Sequence, residues 1–288
     1  MKPPMPWMGG KQALTETLCA LFPPEFTKYV EVFGGGGALL FHKPPEGHHE
    51  VYNDKNHLLV NLFRCIREHP HELIDELTFT LNAREDFVHN RLKLKEVFEI
   101  PDIKMAAKYY QTVLQSYAAG VTSFGGAPRG LWSRFPAVLS ACARLQSVVV
   151  ENKDFEKLIL QHDSENTFFY LDPPYYKTED YYENVGFDKH DHVRLYELLM
   201  SNKGKWLLSY NDCEYIRDLY SKTGLMIYAT ERINNIALRY AKGKKYGELI
   251  IGNYDLLERN NSTKQLTLFG EAENKWISER NVIYNGRV

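Results

Sequence analysis

The four residues Asp172-Pro173-Pro174-Tyr175 directly follow a predicted strand, Thr167 to Leu171. A double proline continues neither a helix nor a central strand, so a stiff extended loop is expected at the end of a sheet. Such a loop fixes a carboxylate, a carbonyl and a ring. Asp172 and the Pro173 carbonyl can accept both protons of a nucleobase amino group, which keeps its nitrogen lone pair available for attack, and Tyr175 can stack on the base. The alternative interpretation is a proline turn capped by Asp.

A run of glycines, Gly34 to Gly37, follows another predicted strand, Tyr29 to Phe33. Ligands of open α/β sheets bind beyond the carboxyl ends of the strands, where glycines let the backbone approach a cofactor closely. A dinucleotide fingerprint needs a third glycine, but Leu39 or Leu40 occupies that place. The run therefore indicates a ligand site that is not a pyrophosphate site of the dinucleotide type.

Asp54 ends a second predicted strand, Glu50 to Asn53. An acidic side chain at this place can accept hydrogen bonds from both ribose hydroxyls of a nucleoside cofactor. It can equally cap the helix that follows. Both interpretations are open from the sequence.

Alternation of strands and helices in two regions, about 28–68 and 147–253, predicts the elements that position these residues. The alternation predicts an α/β fold with a mainly parallel sheet that is covered on both faces. Between the two regions, residues 69–145 are richer in charge and predicted to be mostly helical, with a glycine-rich loop from Gly120 to Gly130. The sequence thus predicts a catalytic domain, 1–68 with 146–288, and an inserted second domain, 69–145.

Together these motifs resemble the Dam-type adenine-specific DNA methyltransferases. The motifs, in the order of that family, are Trp7-Met8-Gly9-Gly10-Lys11, Glu31 to Gly37, Asn53-Asp54-Lys55-Asn56 and Asp172 to Tyr175. The resemblance implies a Rossmann-like methyltransferase fold with a mixed seven-stranded sheet that includes one antiparallel strand. It also implies S-adenosyl-L-methionine as the cofactor. The residues that would bind it are Trp7, Lys11, Glu31, Phe33, Gly35, Gly37, Asp54, Asp154, Phe155 and Asp172.

By the same resemblance, the inserted segment is a target recognition domain for double-stranded DNA. Arg and Lys side chains read guanine edges and phosphates, and polar side chains add base contacts. The candidate DNA-binding residues of this segment are Arg84, Arg91, Lys93, Lys95, Tyr117, Thr122, Ser123, Arg129 and Arg134. A further basic cluster is predicted in a loop beside the late strands, where it can hold phosphates: Arg239, Lys242, Lys244 and Lys245. The Arg-x-Asn hairpin pattern of the GATC-methylating members is absent from Tyr117 to Trp132, so GATC is not predicted as the target.

Other chemistries are disfavoured by spacing. A nuclease metal motif formed by Pro101-Asp102 and Glu151-Asn152-Lys153 is rejected because the second group ends a predicted strand. His190 and His192 do not share a helix face, so a helix start is predicted there and no metal site. A cytosine C5 enzyme needs a nucleophilic cysteine, normally after proline. The four cysteines follow Leu, Arg, Ala or Asp.

The composition sets the remaining limits. The 288 residues are 44% hydrophobic and 25% charged, as in ordinary globular proteins, with a net charge of −2. No apolar stretch approaches the roughly 20 residues that cross a bilayer, and the four scattered cysteines fit a reducing cytosol, which the family resemblance implies to be bacterial. We expect a monomer that associates with DNA, with a restriction enzyme of the same system as a candidate partner. Methylation of cytosine N4 or of RNA adenine, or an inactive DNA-binding regulatory module, are the open alternatives.

Overall fold

A computed structural model describes residues 1–45, 48–126, 130–179, 185–221, 224–233 and 245–259, and the backbone of 283–285. The helices are α1 Thr15–Ala20, α2 Ala38–His42, α3 His57–Glu68, α4 Pro70–Thr78, α5 Arg84–Lys93, α6 Ile103–Gln115, α7 Phe135–Leu145, α8 Phe155–His162, α9 Lys189–Ser201 and α10 Glu214–Tyr220. The strands are β1 Lys28–Glu31, β2 His49–Asn53, β3 Val148–Glu151, β4 Thr167–Leu171, β5 Lys205–Asn211, β6 Met226–Ile233, β7 Lys245–Gly252 and β8 Ile283–Asn285.

The chain divides into two compact units. The first contains residues 1–12 and 34–154, and the second contains residues 13–33 and 155–288. The predicted helical segment 69–145 contains α4 to α7 and lies entirely within the first unit.

In the first unit, β2 and β3 pair in parallel, with Tyr52 opposite Val150. Helix α3 begins where Asn56 accepts hydrogen bonds from the backbone N–H groups of Leu58 and Leu59. A buried ion network supports this sheet. Both terminal nitrogens of Arg144, on α7, donate hydrogen bonds to the Glu50 carboxylate, at 2.6 and 2.7 Å. Lys43 forms an ion pair with the same carboxylate. These ion pairs hold the pKa of Glu50 below its usual range, although burial alone would raise it.

In the second unit, β1, β4 and β5 run parallel, and β7 is antiparallel to both β5 and β6. All five residues of β4 are buried, which explains its uninterrupted run of Phe, Tyr and Leu. Phe168 packs edge-on against Phe22, with ring centres 4.6 Å apart. The unit thereby secures the strand whose carboxyl end carries the tetrapeptide.

The α/β fold with a mixed, mainly parallel sheet and flanking helices is confirmed and fits a Rossmann-like methyltransferase. The one expected antiparallel member of the first seven strands is β7. A further short strand, β8, pairs with β6. It lies in the tail after Asn260, which the sequence left undefined. Lys245, expected in a loop, is the first residue of β7.

Candidate active site

The glycine loop of the first unit is shaped by the side chains around it. Gly35 and Gly37 have φ of +50° and +70°, a region that favours glycine. A Cβ at Gly35 would lie 2.6 Å from Nε1 of Trp7, and one at Gly34 would overlap the Tyr52 ring. The Tyr52 hydroxyl donates to the Gly35 carbonyl at 2.6 Å. Glycine is therefore required at Gly34 and Gly35, because the rings of Tyr52 and Trp7 occupy the space that a side chain would need.

Asp54 braces this loop from the end of β2. Its Oδ2 accepts from the N–H of Gly35 and its Oδ1 accepts from the N–H of Asn56, both at 2.8 Å. Burial raises the pKa of Asp54 to about 6, although both hydrogen bonds act to lower it. Since Asn56 caps α3, Asp54 is not the helix cap that the sequence left open as an alternative.

The segments after β2 and β3 are fastened together by side-chain amides. Asn53 donates to the Lys153 carbonyl at 3.1 Å and accepts from the Lys153 N–H at 2.8 Å. Asn152 donates to the Asp54 carbonyl at 2.8 Å. Lys55 forms an ion pair with Asp154 at 3.3 Å, so the predicted cofactor contacts Asp54 and Asp154 belong to the same pair of linked segments.

The N-terminal motif lies against the glycine loop. A Cβ at Gly36 would be 2.7 Å from Cβ of Trp7, which shows how closely Trp7 covers this backbone. Lys11 is buried, with its ammonium 3.5 Å from the Gly9 carbonyl. The structure thus brings together Trp7, the glycines and Asp54.

In the second unit, Glu31 and Phe33 stand at the carboxyl end of β1. The buried Glu31 accepts from the Tyr29 hydroxyl at 2.9 Å. Phe33 lies 5.6 Å from Phe155 and 5.8 Å from Phe187, between ring centres. The candidates Phe33 and Phe155 therefore belong to one aromatic cluster.

The tetrapeptide follows β4 as the sequence predicts. Pro173 and Pro174 are buried, while Asp172 and Tyr175 are half-buried. The Tyr175 hydroxyl donates to the buried carboxylate of Glu248 on β7. Burial raises the pKa of nearby Tyr170 well above its usual range, and the negative charges of Asp172, Glu31 and Glu248 add to this, so its phenol stays protonated.

The residues just after the tetrapeptide are held by ring stacking and by a turn. Tyr176 stacks on Tyr215 of α10, with ring centres 4.2 Å apart and planes 15° apart. Both the N–H and the hydroxyl of Thr178 donate to the Tyr175 carbonyl, at 2.9 and 3.0 Å. Asn211 donates to the Tyr176 carbonyl at 3.3 Å. The loop is thereby tied to β5 and α10.

His192 of α9 fastens the end of the same loop. Its Nε2 is 2.8 Å from Glu179 and its Nδ1 is 2.6 Å from the Tyr210 hydroxyl. Burial lowers the pKa of His192, against the opposing effect of Glu179. The predicted helix start is confirmed, since Asp188 caps α9 in a capping box with Asp191.

In the helical segment, Gln115 to Gly125 form a small hairpin. Ser116 bridges to Phe124, and the Tyr117 N–H donates to the Ser123 carbonyl at 2.7 Å. Three residues at its tip have positive φ without being glycine: Ala118 at 53°, Ala119 at 61° and Val121 at 60°. Such conformations cost about 1–2 kcal/mol per residue, and backbone strain of this kind clusters at functional sites.

Two predicted arginine contacts support this hairpin from α5. The Arg84 guanidinium lies 4.8 Å over the Phe124 ring, and Arg91 donates to the Thr122 carbonyl. Tyr117 is 37% exposed, and Thr122 and Ser123 are exposed. Arg134 lies in a 3₁₀ turn, Trp132–Arg134. The candidates Arg129, Arg239, Lys242 and Lys244 lie outside the described residues.

Within the described ranges, no group of three or more His, Cys, Asp or Glu side chains could hold a metal ion. None of the helices that the structure describes is long and apolar enough to cross a membrane.

Sequence reasoning missed the residues that hold the tetrapeptide loop: Ser209, Tyr210, Tyr215, Glu179, His192 and Glu248. The one available signal for Ser209 and Glu248 was a polar residue within a largely apolar strand, since such a residue needs a buried hydrogen-bond partner.

Comparison with known proteins agrees with this geometry. The family described as D12 class N6 adenine-specific DNA methyltransferase matches residues 7–236. The type II methyltransferase M1.LlaDCHI of Lactococcus lactis subsp. cremoris is 26% identical over 277 residues, which cover 88% of this chain and 96% of the relative. M.MjaIII of Methanocaldococcus jannaschii is 26% identical over 293 residues, covering 88% and 99%.

A third relative, the type II methyltransferase M.CviBI of Paramecium bursaria Chlorella virus NC1A, is 24% identical over 226 residues, covering 76% and 86%. The family match includes the glycine loop, Asp54 and the tetrapeptide. It favours adenine in DNA over the cytosine and RNA alternatives. The chain belongs to the D12 class of N6 adenine-specific DNA methyltransferases.

Proposed function

We propose that this DNA adenine methyltransferase takes its methyl group from S-adenosyl-L-methionine and transfers it to an adenine flipped out of double-stranded DNA. The observation that carries the proposal is the tetrapeptide at the end of the buried strand β4, with its two prolines buried and with Asp172 and Tyr175 half-buried. A base inside a duplex cannot reach such a loop, which is why flipping is part of the proposal.

In this mechanism the tetrapeptide acts on the adenine amino group. Asp172 and the Pro173 carbonyl accept hydrogen bonds from the two N–H groups of the adenine amino nitrogen. The nitrogen lone pair therefore stays directed at the incoming methyl carbon. The two prolines fix the spacing of these acceptors. Tyr175 stacks on the flipped ring. The surplus proton on the methylated nitrogen leaves through Asp172 to solvent.

The residues of the first unit fit a nucleoside cofactor. Trp7 and Tyr52 pack closely against the backbone of Gly34 to Gly36, so that a Cβ would contact their rings. The backbone of this loop has no side chains that would block a cofactor. The buried carboxylate of Asp54 would accept hydrogen bonds from the ribose hydroxyls, and Asp154, held nearby through its ion pair with Lys55, would contact the cofactor beside it. When bound, S-adenosyl-L-methionine supplies an electrophilic methyl group on sulfur. The parts of Lys11, Glu31, Phe33 and Phe155 in cofactor binding are predictions.

For DNA recognition we propose the segment 69–145, with residues 1–68 and 146–288 as the catalytic domain. The hairpin tip presents Tyr117, Thr122 and Ser123 to solvent, and its strained backbone supports a binding role. Arg84 and Arg91 brace the hairpin from behind. We propose direct base contacts from the tip. Phosphate contacts would come from Arg134 and from the basic residues outside the described ranges.

The partners follow from the same proposal. Double-stranded DNA is the acceptor, and the protein acts as a monomer in the bacterial cytosol. The relatives are named type II methyltransferases, which supports a restriction enzyme of the same system as a partner.

The test is expression of the chain in a host free of DNA methylation, followed by single-molecule sequencing of the genomic DNA. N6-methyladenine confined to one short motif is the expected result, and it names the target. Absence of the modified base, with folded protein that binds the cofactor, would contradict the proposal. Purified enzyme offered duplex DNA, single-stranded DNA and RNA should methylate the duplex fastest.

A further inference from the structure

A buried carboxylate anchors the far end of the catalytic tyrosine. The Oε1 atom of Glu248 accepts from the Tyr175 hydroxyl and also from the Ser209 hydroxyl, at 2.9 Å. Glu248 is 1% exposed and Ser209 is fully buried. A buried carboxylate is costly unless donors satisfy it, so both hydroxyls are held to it firmly.

The strand register explains why these groups meet. In the antiparallel pair of β5 and β7, Asn211 lies opposite Glu248. Ser209 is two residues before Asn211 and therefore projects from the same face of the sheet. The tetrapeptide leaves β4, which pairs with β5 on its other edge. Tyr175 thus reaches across β5 to contact a residue of β7.

The consequence concerns the freedom of the tyrosine ring. Tyr175 is only half-buried, so part of the side chain is accessible while its hydroxyl points inward to Glu248. The ring of Tyr210 lies 6.0 Å away and limits movement on one side. A ring held at its hydroxyl cannot rotate away without breaking a charge-assisted hydrogen bond.

We propose that Glu248 is a positioning residue, which holds the ring of Tyr175 in place as a preorganised stacking surface for the target base. This inference rests on the proposed function, since it assumes that Tyr175 stacks on the flipped adenine. Preorganisation removes the cost of ordering the ring when the base arrives, so Glu248 assists the reaction without contacting the substrate.

Three variants test the proposal in the full-length chain. Glu248→Met keeps the length of the side chain and removes the acceptor. Glu248→Gln keeps an acceptor oxygen and should restore most of the function. Tyr175→Phe removes the donor and remains informative if Glu248→Met fails to fold. Tyr254→Phe is the matched control, because it removes the hydroxyl hydrogen bond of another half-buried tyrosine of the same unit, to the Leu21 carbonyl at 2.7 Å.

The first readout is the single-turnover methylation rate on a duplex that contains the motif found by sequencing. Glu248→Met and Tyr175→Phe should each lower this rate by about tenfold, in the range for a lost hydrogen bond to a charged group. The double variant should be little slower than either, because both changes break one contact. Glu248→Gln should recover most of the rate, because its amide oxygen is a weaker acceptor than a carboxylate. The Tyr254→Phe control should stay near the unaltered protein, and cofactor affinity should not change in any of these variants.

The second readout is the fluorescence lifetime of 2-aminopurine placed at the target position. Stacking on Tyr175 produces a short-lived component, and its share should fall in Glu248→Met and Tyr175→Phe and return in Glu248→Gln. Equal rates and lifetimes in Tyr175→Phe and the unaltered protein would overturn the inference. So would additive losses in the double variant. If the unaltered protein methylates no DNA, the proposed function fails, which is a different result from either of these.

Discussion

The glycine loop after β1 and the tetrapeptide loop after β4 are both held firmly, by opposite means. In the glycine loop the side chains are missing, and the rings of Trp7 and Tyr52 occupy the space where they would be. In the tetrapeptide loop the side chains do the holding: Tyr175 bonds to Glu248, and Tyr176 stacks on Tyr215. The first loop leaves backbone groups open to a ligand. The second presents side chains to one.

This difference predicts how each loop fails. The glycine loop should be sensitive to added atoms, because there is no space for a Cβ. The tetrapeptide loop should be sensitive to removed atoms, because each lost ring or carboxylate releases part of it. Substitutions chosen by this logic test whether both loops are preorganised.

The largest effect is expected from Asp172→Ala, which removes an acceptor from the amino group. We expect the methylation rate to fall about 10³-fold or more, by analogy with the loss of a preorganised hydrogen-bonding group at a reacting centre. Cofactor affinity, measured by calorimetry, should fall far less than the methylation rate, because Asp172 is one of ten residues predicted to contact the cofactor. Asp163→Ala is the control: Asp163 lies before β4, outside the tetrapeptide loop, and accepts from the N–H groups of Lys203 and Gly204, which precede β5. Retained activity in Asp172→Ala would refute the assigned mechanism.

The second effect concerns the glycine loop. Gly35→Ala introduces backbone strain at φ +50° and a Cβ 2.6 Å from Trp7, so stability should fall by about 2–4 kcal/mol and cofactor affinity by tenfold or more. Gly126→Ala has a similar φ of +67° with nothing within 4 Å of the new Cβ, so it shows the strain alone. Thermal unfolding and calorimetry compare the two. Equal losses of stability in the two variants would mean that glycine is needed at position 35 for its positive φ, and that the contact of a Cβ with Trp7 adds nothing.

The third effect is a pH dependence of cofactor affinity. Burial raises the pKa of Asp54 to about 6. The stability of the ligand-free fold therefore decreases as the pH rises through the folded-state pKa and Asp54 becomes charged. Below pH 6 the carboxyl of the folded protein takes up a proton. Ribose hydroxyls donate best to the ionised form. Affinity should therefore weaken by up to about tenfold per pH unit below 6, with proton release on binding near pH 6.

Calorimetry in two buffers of different protonation enthalpy measures that proton release. Asp54→Asn provides the control, because it should bind more weakly and show no such pH dependence. An unchanged pH profile in Asp54→Asn would mean that another group controls cofactor binding.

The sequence predicted the parts of the fold and site that depend on neighbouring residues. The glycine run, the double proline and the alternation of strands and helices are local, and the structure has a strand before each of the two loops. The strand before the glycines ends at Glu31, two residues earlier than predicted, because the glycine loop begins to turn at Val32 and Phe33. Thr167–Leu171 was predicted with its observed bounds because a strand buried on both faces is marked by an uninterrupted apolar run.

The contacts that hold the tetrapeptide were not predictable in this way. Glu248 is 73 residues from Tyr175, and His192 is 13 residues from Glu179. Their meeting depends on the register of β5 with β7 and on the packing of α9, which a single sequence does not specify. Arg84 and Arg91 illustrate the same point, because their contacts with the hairpin could not be distinguished from DNA contacts by residue type.

The smallest effect is expected from Tyr215→Leu, which removes the stacking partner of Tyr176 and touches no residue of the tetrapeptide itself in the described contacts. An aromatic pair contributes about 0.5–1.5 kcal/mol, so the single-turnover methylation rate should fall about two- to tenfold. Tyr196→Leu is the control, because it replaces another half-buried tyrosine of the second unit and removes its ring contact with the buried Tyr220, at 5.3 Å between ring centres. Both variants should lose similar thermal stability, and only Tyr215→Leu should slow methylation. If the two slow it equally, the tetrapeptide loop depends on the stability of the unit as a whole. The contrast with the glycine loop would then not extend beyond Tyr175.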